Sequence, residues 1–414
     1  MKIKVIDSIM GSGKTSAAIN YMNEEHSKRF LYITPYLDEV ARVVEACNTN
    51  RCEEDLFYEP DISAGTKKRS LKSLIARGKN IATTHSMFTQ FDDEIMELIS
   101  SWNYELILDE VANVVQPYKD VSDYDKEILF RDFVVVGDKG SLIWTDDEYY
   151  GEFDEIKNLC KLGSLSVYGE KMLMLWLMPI KAFSCFNKVT ILTFLFKGQL
   201  QKYYYDLYDI NYTYGEAYQD ESGEYKFKNV DEPTVKILDK SLFDIYQGES
   251  LNLIGYQEKY LSKGWYTRMK KNNSLAPLKN HCCNYATKII GATSSEIAWT
   301  TFKDFKAYCK GKGYTKGFIP SNMRASNNYR TRTVGMYLVN KYVNPILINY
   351  FKLYGVEIDQ DAYALSEMLQ WIWRLAIRDG KPIKLYIPSR RMRSLLQNWL
   401  NSGEIFSDFS SKKP

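Results

Sequence analysis

The chain has 414 residues, with 54 Lys plus Arg against 52 Asp plus Glu and a formal charge of +2. Such a length calls for two domains by default, and a composition 45% hydrophobic and 26% charged, with 23 Gly and 11 Pro, excludes wholesale disorder and a collagen-like architecture. The near-zero sum carries no bulk signature of nucleic-acid binding, but it can hide a local patch.

The seven cysteines, Cys47, Cys52, Cys160, Cys185, Cys282, Cys283 and Cys309, are odd in number and scattered, form no C-x-x-C pair and have three histidines for company. That pattern argues against a structural zinc site or a secreted disulfide framework and predicts a reducing cytoplasm, bacterial or that of a phage-infected host. Adjacent Cys282 and Cys283 beside His281 cannot both serve an ordinary tetrahedral site without distortion. The N-terminus, MKIKVIDSIMGSGKT, has no apolar run suited to a signal peptide and reads as mature sequence. The most apolar stretch, Met172 to Ile180, falls well short of the ~20 residues that span a bilayer and predicts buried core, so no membrane partner is expected.

In chain order, Lys2 to Ile6 predicts a strand, Gly11 to Thr15 a turn and Ser16 to His26 a helix. Phe30 to Thr34 predicts a second strand and Leu37 to Cys47 a second helix. Asn80 to Thr84, Tyr104 to Leu108 and Val189 to Leu195 add strands. Strands alternating with helices imply a parallel sheet. The first half therefore reads as one α/β domain over 1–215. The polar stretch Tyr212 to Asn229 suggests a small hairpin or an exposed connection, and a connecting segment is set at 216–234. Thr234 to Leu238, Asn252 to Tyr256, Ile297 to Thr301, Gly335 to Val339 and Ile383 to Ile387 predict strands of a second α/β lobe over 235–414.

Ser8-Ile9-Met10-Gly11-Ser12-Gly13-Lys14-Thr15 follows G-x-x-x-x-G-K-[ST] except for Ser8 at the first position. Gly11 and Gly13 let backbone N–H groups wrap phosphates, and the helix from Lys14 offers its positive end. Lys14 reaches the β and γ phosphates and Thr15 can ligate Mg²⁺, with Ser12 and Ser16 in the same binding set. Glu105 to Glu110 reads as an apolar strand ending in two acids. It puts Asp109 at the carboxyl edge of the sheet to hold Mg²⁺, and Glu110 where it can orient an attacking water. In the second half, Gln370, Arg374 and Arg378 have the spacing Q-x-x-x-R-x-x-x-R on a predicted helix, which sets both arginines on one face. There they could present cations to a γ-phosphate as arginine fingers.

These motifs together resemble those of compact superfamily 2 DEAD/DEAH-like helicases, closest to the phage and prophage replication helicases, over nearly the full length. GSGKT is similar to motif I, Tyr32 to Tyr36 to motif Ia, Ala82 to Phe88 to the strand-loop motif that touches nucleic acid, and LDEV to motif II. Ile191 to Thr193 stands where motif III falls, Trp299 to Phe302 resembles motif IV, Arg324 to Tyr329 motif V, and Gln370 to Arg378 motif VI. The resemblance implies two RecA-like parallel-sheet lobes forming an ATP cleft, ATP and Mg²⁺ as cofactors, and Gln370 among the nucleotide-binding residues. It also implies Thr34, Pro35, Thr84, His85, Arg324 and Asn327 at a nucleic-acid strand, single-stranded DNA first, and replication proteins as further partners. The sequence departs from the family at Ala112 in motif II, at Trp373 in place of a glycine in motif VI, and in motif III. Only seven residues precede the loop, so an upstream adenine-reading motif is not expected.

Fourteen Lys or Arg lie between Lys263 and Arg332 against Glu296 and Asp304, a local excess of twelve positive charges. Tyr260, Trp265, Tyr266, Tyr285 and Tyr314 are interleaved, which predicts base stacking along a phosphate-tracking groove. The expected activity is ATP hydrolysis coupled to movement along, or unwinding of, nucleic acid. A terminase-type packaging ATPase would need a nuclease carboxylate cluster that the basic stretch does not offer. A non-hydrolysing, ATP-switched loader protein is the other alternative.

Overall fold

A computed structural model describes residues 1–414 except 50, 64, 120, 235–238, 323–327 and 411–414. The chain divides into two compact units. One holds Met1–Pro233 with Asn344–Ile358, the other Thr234–Val343 with Asp359–Pro414.

In the first unit the strands are β1 (Lys2–Asp7), β2 (Phe30–Thr34), β3 (Phe57–Tyr58), β4 (Asn80–Thr84), β5 (Glu105–Asp109), β6 (Val115–Pro117), β7 (Val134–Val136), β8 (Leu142–Trp144), β9 (Leu165–Tyr168), β10 (Leu173–Leu177), β11 (Lys188–Thr193), β12 (Thr213–Gln219) and β13 (Tyr225–Val230). Eight of them form one sheet in the order β13-β12-β1-β11-β5-β2-β4-β3. Every pairing is parallel except the β12–β13 hairpin. The central strands are apolar runs because both faces are covered: all five residues of β2 are buried. Helices α1 (Lys14–Glu24), α2 (Leu37–Asn48) and α3 (Lys67–Ala76) carry the crossovers. Ala18, Ile19 and Met22 of α1 and Val40, Val43 and Cys47 of α2 pack on Ile6, Tyr32, Ile107 and Leu192 in one core.

Two features depart from the expected single α/β domain and its boundary. Between β5 and β11 the chain makes a separate antiparallel sheet, β6-β10-β9, and the β7–β8 hairpin. Its apolar residues close around their own aromatic cluster, in which Phe133 stacks on Trp144 at 5.2 Å and meets Tyr149 at 4.7 Å. The Met172–Ile180 stretch supplies β10 to this sheet; Met174 to Met178 are buried, while Met172 and Ile180 at its ends are exposed. The second feature is the stretch set as a connection. Its polar alternation pairs β12 with β13 in register from Tyr214–Val230 to Gln219–Tyr225, and β12 also joins β1, so the hairpin extends the main sheet. Helix Pro345–Leu353 also belongs to this unit, where the Tyr350 hydroxyl donates to the Lys139 carbonyl at 3.1 Å.

The second unit holds β14 (Phe243–Ile245), β15 (Ile297–Thr300), β16 (Val334–Tyr337) and β17 (Ile383–Tyr386), all parallel, in the order β14-β17-β16-β15. Asn252 to Tyr256, expected as a strand, is helical: Glu249–Asn252 and Leu253–Gly255 form consecutive helical turns. Its short apolar run fits either period, and Leu251 and Gly255 pack inward at helical spacing. The expected strand from Thr234 to Leu238 lies outside the described residues save for its first. Among the described residues no helix is long and apolar enough to cross a membrane.

Candidate nucleotide site and nucleic-acid surfaces

Parallel register decides which loops meet. Asp7 of β1 lies opposite Thr193 of β11, and Leu192 lies opposite Asp109 of β5, so the loops after β1 and β5 emerge at one carboxyl edge on either side of β11. Gly11 and Gly13 both have positive φ, 84° and 83°, a conformation that strains any residue with a Cβ. Lys14 folds back onto the loop, its Nζ donating to the carbonyls of Ser8 at 2.5 Å and Ile9 at 3.0 Å.

Thr15 Oγ1 donates to Asp109 Oδ2 at 3.3 Å, and the Tyr32 hydroxyl donates to the same oxygen at 2.8 Å. Burial pushes the Asp109 carboxyl up to about 6, against the Tyr32 hydrogen bond and the Lys14 charge, which favour the ionised form; Glu110 adds to the upward push. Glu110 itself has φ 62°, and its N–H donates to the Leu192 carbonyl at 2.9 Å. Holding a non-glycine residue there costs about 1 kcal/mol. The pairing with β11 fixes where the side chain leaves the backbone.

The residues fit a triphosphate with Mg²⁺. Ser12 Oγ is buried with no hydrogen-bond partner among the described residues, and the loop N–H groups, Lys14, Thr15 and Asp109 supply the donors and oxygen ligands such a group requires. Ser16 follows Thr15 in the first turn of α1.

Three residues support the site through contacts that no motif specifies. Asp7, buried at the end of β1, accepts from the N–H groups of Leu195 at 2.7 Å and Phe196 at 2.8 Å and so ties the loop base to the turn after β11. Burial raises its pKa, and those two hydrogen bonds oppose the rise. Tyr32 reads in the sequence as part of an apolar strand and as the first residue of the stretch that resembles motif Ia, neither of which signals its bond to Asp109. Gln201 Oε1 accepts from the buried Ala112 N–H at 2.8 Å, which satisfies that backbone group just after the acidic pair.

Of the residues expected at nucleic acid, Thr34 is fully buried at the end of β2, whereas Pro35 and Thr84 line a surface cavity of about 740 Å³ with Thr66, Lys67 and Lys68. His85 Nε2 donates to the Asp109 carbonyl at 2.8 Å, which links the strand-loop motif to the acidic strand. Arg324 and Asn327 lie outside the described residues.

In the second unit, Gln370 sits in the last turn of helix Gln360–Ile372. The expected single face for Arg374 and Arg378 is not formed. The helix ends at Ile372, Leu375 is extended, and Arg378 lies in a separate 3-10 turn, Ala376–Asp379. The break comes from a long-range pairing, the Ala376 N–H donating to the Arg332 carbonyl at 2.9 Å. Arg374 is buried and Arg378 half-buried.

The aromatics expected to stack bases are core residues instead. Trp265, Tyr266, Tyr285 and Tyr314 are all buried in one hydrophobic cluster, and Tyr260 packs against it. Amphipathic segments turned their rings inward and their cations outward. Among the described residues, exposed rings beside cations include Tyr308, under Lys270 at 4.6 Å, and Tyr256, under Arg390 at 5.0 Å. Ser294, Ser295, Thr315, Lys316 and Arg332 line a second surface cavity of about 680 Å³.

Fold and edge together define an α/β protein with a phosphate-loop sequence at the carboxyl end of a parallel sheet. Residues 238–400 match the YonV C-terminal Rossmann-like domain and residues 115–176 the YonV middle domain. Over 418 residues the chain is 41% identical to the SPbeta prophage-derived uncharacterized protein YonV of Bacillus subtilis (strain 168), covering 97% of this chain and 99% of that protein. The chain belongs to the YonV family. Similar solved structures are described as "XPD_Helicase", 12% identical with a TM-score of 0.47 over 97% of this chain and 94% of that one, and "XPD_APO", 12% identical with 0.48 over 93% and 92%.

Proposed function

We propose that this protein is a nucleic-acid-dependent ATPase of the superfamily 2 helicase type, which couples hydrolysis to movement along or unwinding of a DNA strand. The observation that carries the reading is the meeting of Thr15 and Asp109 at one sheet edge, with Lys14 in the adjoining loop. Gly11, Ser12, Gly13, Lys14, Thr15 and Ser16 would bind the phosphates, and Thr15 and Asp109 would hold Mg²⁺. The metal, when bound, neutralises charge on the phosphate oxygens. Glu110 would orient and polarise the attacking water, and Arg374 and Arg378 are the second unit's candidates for stabilising charge in the transition state.

The strand reading rests on charge and shape. Lys67 and Lys68 border the cavity beyond β2 and β4, with α3 opening at Lys67 beside it, an arrangement suited to a phosphate backbone. In the second unit, Lys310, Lys312 and Lys316 are exposed within the basic stretch. A prophage setting for the YonV relative is consistent with a role in phage-type DNA replication.

The test is an ATPase assay with single-stranded DNA, duplex DNA and RNA in parallel, on the wild type and Lys14→Ala. Stimulation by single-stranded DNA, abolished in Lys14→Ala, is expected. A Lys14→Ala protein that turns over at the wild-type rate refutes the site; nucleotide binding without hydrolysis under any nucleic acid favours the switch or loader reading.

A further inference from the structure

The position at which the loop departs from its motif is also where the β12–β13 hairpin touches it. Strand β1 pairs with β12 up to Ile6 opposite Gly215, and β1 ends at Asp7. Beyond that point the ladder would leave the Ala217 N–H without a backbone acceptor. Ser8 Oγ takes it instead, at 3.0 Å. A glycine at position 8 has no such oxygen, so the serine extends the ladder by one side-chain hydrogen bond into the phosphate loop.

The other end of the loop meets the same hairpin. A Cβ built on Gly13 would lie 2.1 Å from Tyr225 Cδ1 and 2.2 Å from Cε1, so the Tyr225 ring already occupies the space beside the glycine. Gly13 is therefore required twice, for its φ of 83° and for the ring lying against it. A third tie fixes the hairpin to the helix that follows: Asn20 Nδ2 of α1 donates to the Tyr225 carbonyl at 3.1 Å. Tyr225 faces Gln219 across the hairpin, close to its turn, so the contact with Gly13 is made by the part of the hairpin farthest along from the strand that anchors it.

We propose that the β12–β13 hairpin is a brace that holds the phosphate loop in its binding shape, with Ser8 and Tyr225 as positioning residues for the nucleotide. This rests on the nucleotide reading above. A loop whose two ends are tied to a sheet extension spends less of its time in shapes that cannot wrap a triphosphate. Removing a tie should weaken affinity by the fraction of time lost, without changing the chemistry of the bound state. Because the coupling is reciprocal, a bound nucleotide should in turn steady the hairpin.

The experiment compares wild type, Tyr225→Ala, Tyr225→Phe, Tyr225→Leu and Ser8→Gly as full-length chains. Three readouts are taken: affinity for methylanthraniloyl-ADP with Mg²⁺, the KM and kcat of ATP hydrolysis, and amide hydrogen exchange. Tyr225→Ala is expected to raise the dissociation constant and KM about tenfold with kcat within about twofold. In the nucleotide-free protein it should speed exchange over residues 9–15. Tyr225→Phe, which keeps the ring, should match the wild type, and Ser8→Gly should lose a few-fold in affinity. Nucleotide should slow exchange over 213–230 in the wild type.

Wild-type affinity and wild-type exchange over 9–15 in Tyr225→Ala overturn the proposal; if that variant does not fold, Tyr225→Leu and Ser8→Gly are read by the same criteria. Failure of the wild type to bind the fluorescent nucleotide sinks the nucleotide reading instead. The exchange comparison in the free protein still decides whether the hairpin braces the loop.

Discussion

Thr15 and Asp109 are 94 positions apart, yet the threonine hydroxyl lies 3.3 Å from the aspartate's Oδ2 and points at the oxygen that also accepts from Tyr32. Two oxygens that could ligate a hard cation are thus set side by side by the order of the strands and the helix that follows β1. Asp109→Asn keeps the shape and removes the charge, and it should lower Mg²⁺-ATP turnover by about 100-fold or more. Steady-state kinetics across a Mg²⁺ titration checks this. Unchanged turnover at saturating Mg²⁺ would remove Asp109 from the site.

Glu110 is held in the left-handed region by its own N–H bond to Leu192. Glu110→Gln should therefore leave the backbone and nucleotide affinity intact while turnover falls about 100-fold, the ordinary loss for a positioned base. Equilibrium binding of a fluorescent nucleotide alongside the ATPase rate separates the two effects. Parallel losses in both would mean that Glu110 shapes the loop and does not act on water.

Arg374 and Arg378 should behave differently because the chain breaks between them. Arg378→Ala is expected to lower kcat with nucleotide affinity within about twofold, as an interaction made only in the transition state would. Arg374→Ala removes a buried charged side chain and should also cost about 2 kcal/mol of stability in urea unfolding. Equal stability of the two variants would contradict the burial difference.

In the second unit, Asp361 accepts from Arg391 Nε at 2.9 Å and from Ser407 Oγ at 3.1 Å, and it also takes the Ser410 hydroxyl. Burial raises its pKa, but the Arg391 charge and the three side-chain hydrogen bonds outweigh it, so the carboxyl titrates below its ordinary value. A depressed folded pKa means stability that is present above the unfolded value, about 3.9, and is lost as the pH falls below it through the folded value. Asp361→Asn should destabilise the unit by about 2 kcal/mol near neutrality, the cost of breaking a buried pair reduced for partial exposure. The gap from wild type should close below about pH 4. Denaturant unfolding at several pH values reads it, and a constant gap down to pH 2 would dismiss the ion pair.

Charge and aromatic changes in the basic stretch should separate cleanly. Neutralising Lys310, Lys312 and Lys316 should reduce the slope of log affinity against log salt for single-stranded DNA by about 0.7 for each of these lysines that pairs with a phosphate. Trp265→Ala should instead cost about 3 kcal/mol or more of stability, because the ring is core. A folded Trp265→Ala protein with selectively weakened DNA binding would restore the stacking role that its burial argues against.

The local features of this protein were readable one residue at a time. GSGKT needs its two glycines for backbone geometry, and ELILD needs only an apolar run ending in an acid; both signals sit within a few residues, and strand–turn–helix alternation forecast the parallel sheet. Signals spread over a distance were not readable. A ring at helical spacing beside lysines has the same pattern whether it faces a base or a core, and Trp265 and Tyr314 took the core. The middle sheet between β5 and β11 was hidden because β6 and β9 are short and β10 is a continuous apolar run that fits a buried strand or a buried helix equally.

The chemistry on offer at residues 8–16 and 109–110, and the alternation that carries it, are written locally, since propensity, glycine conformation and hydrophobic period act over a turn or a strand. Folding alone brings Tyr32 to share Asp109 with Thr15, pairs Ala376 with Arg332 between the two arginines, and lays Tyr225 on Gly13 while Ser8 accepts from Ala217. Each of those is a meeting of segments whose separation along the chain leaves no periodic trace. They form because burying one more ring or satisfying one more N–H outweighs local preference.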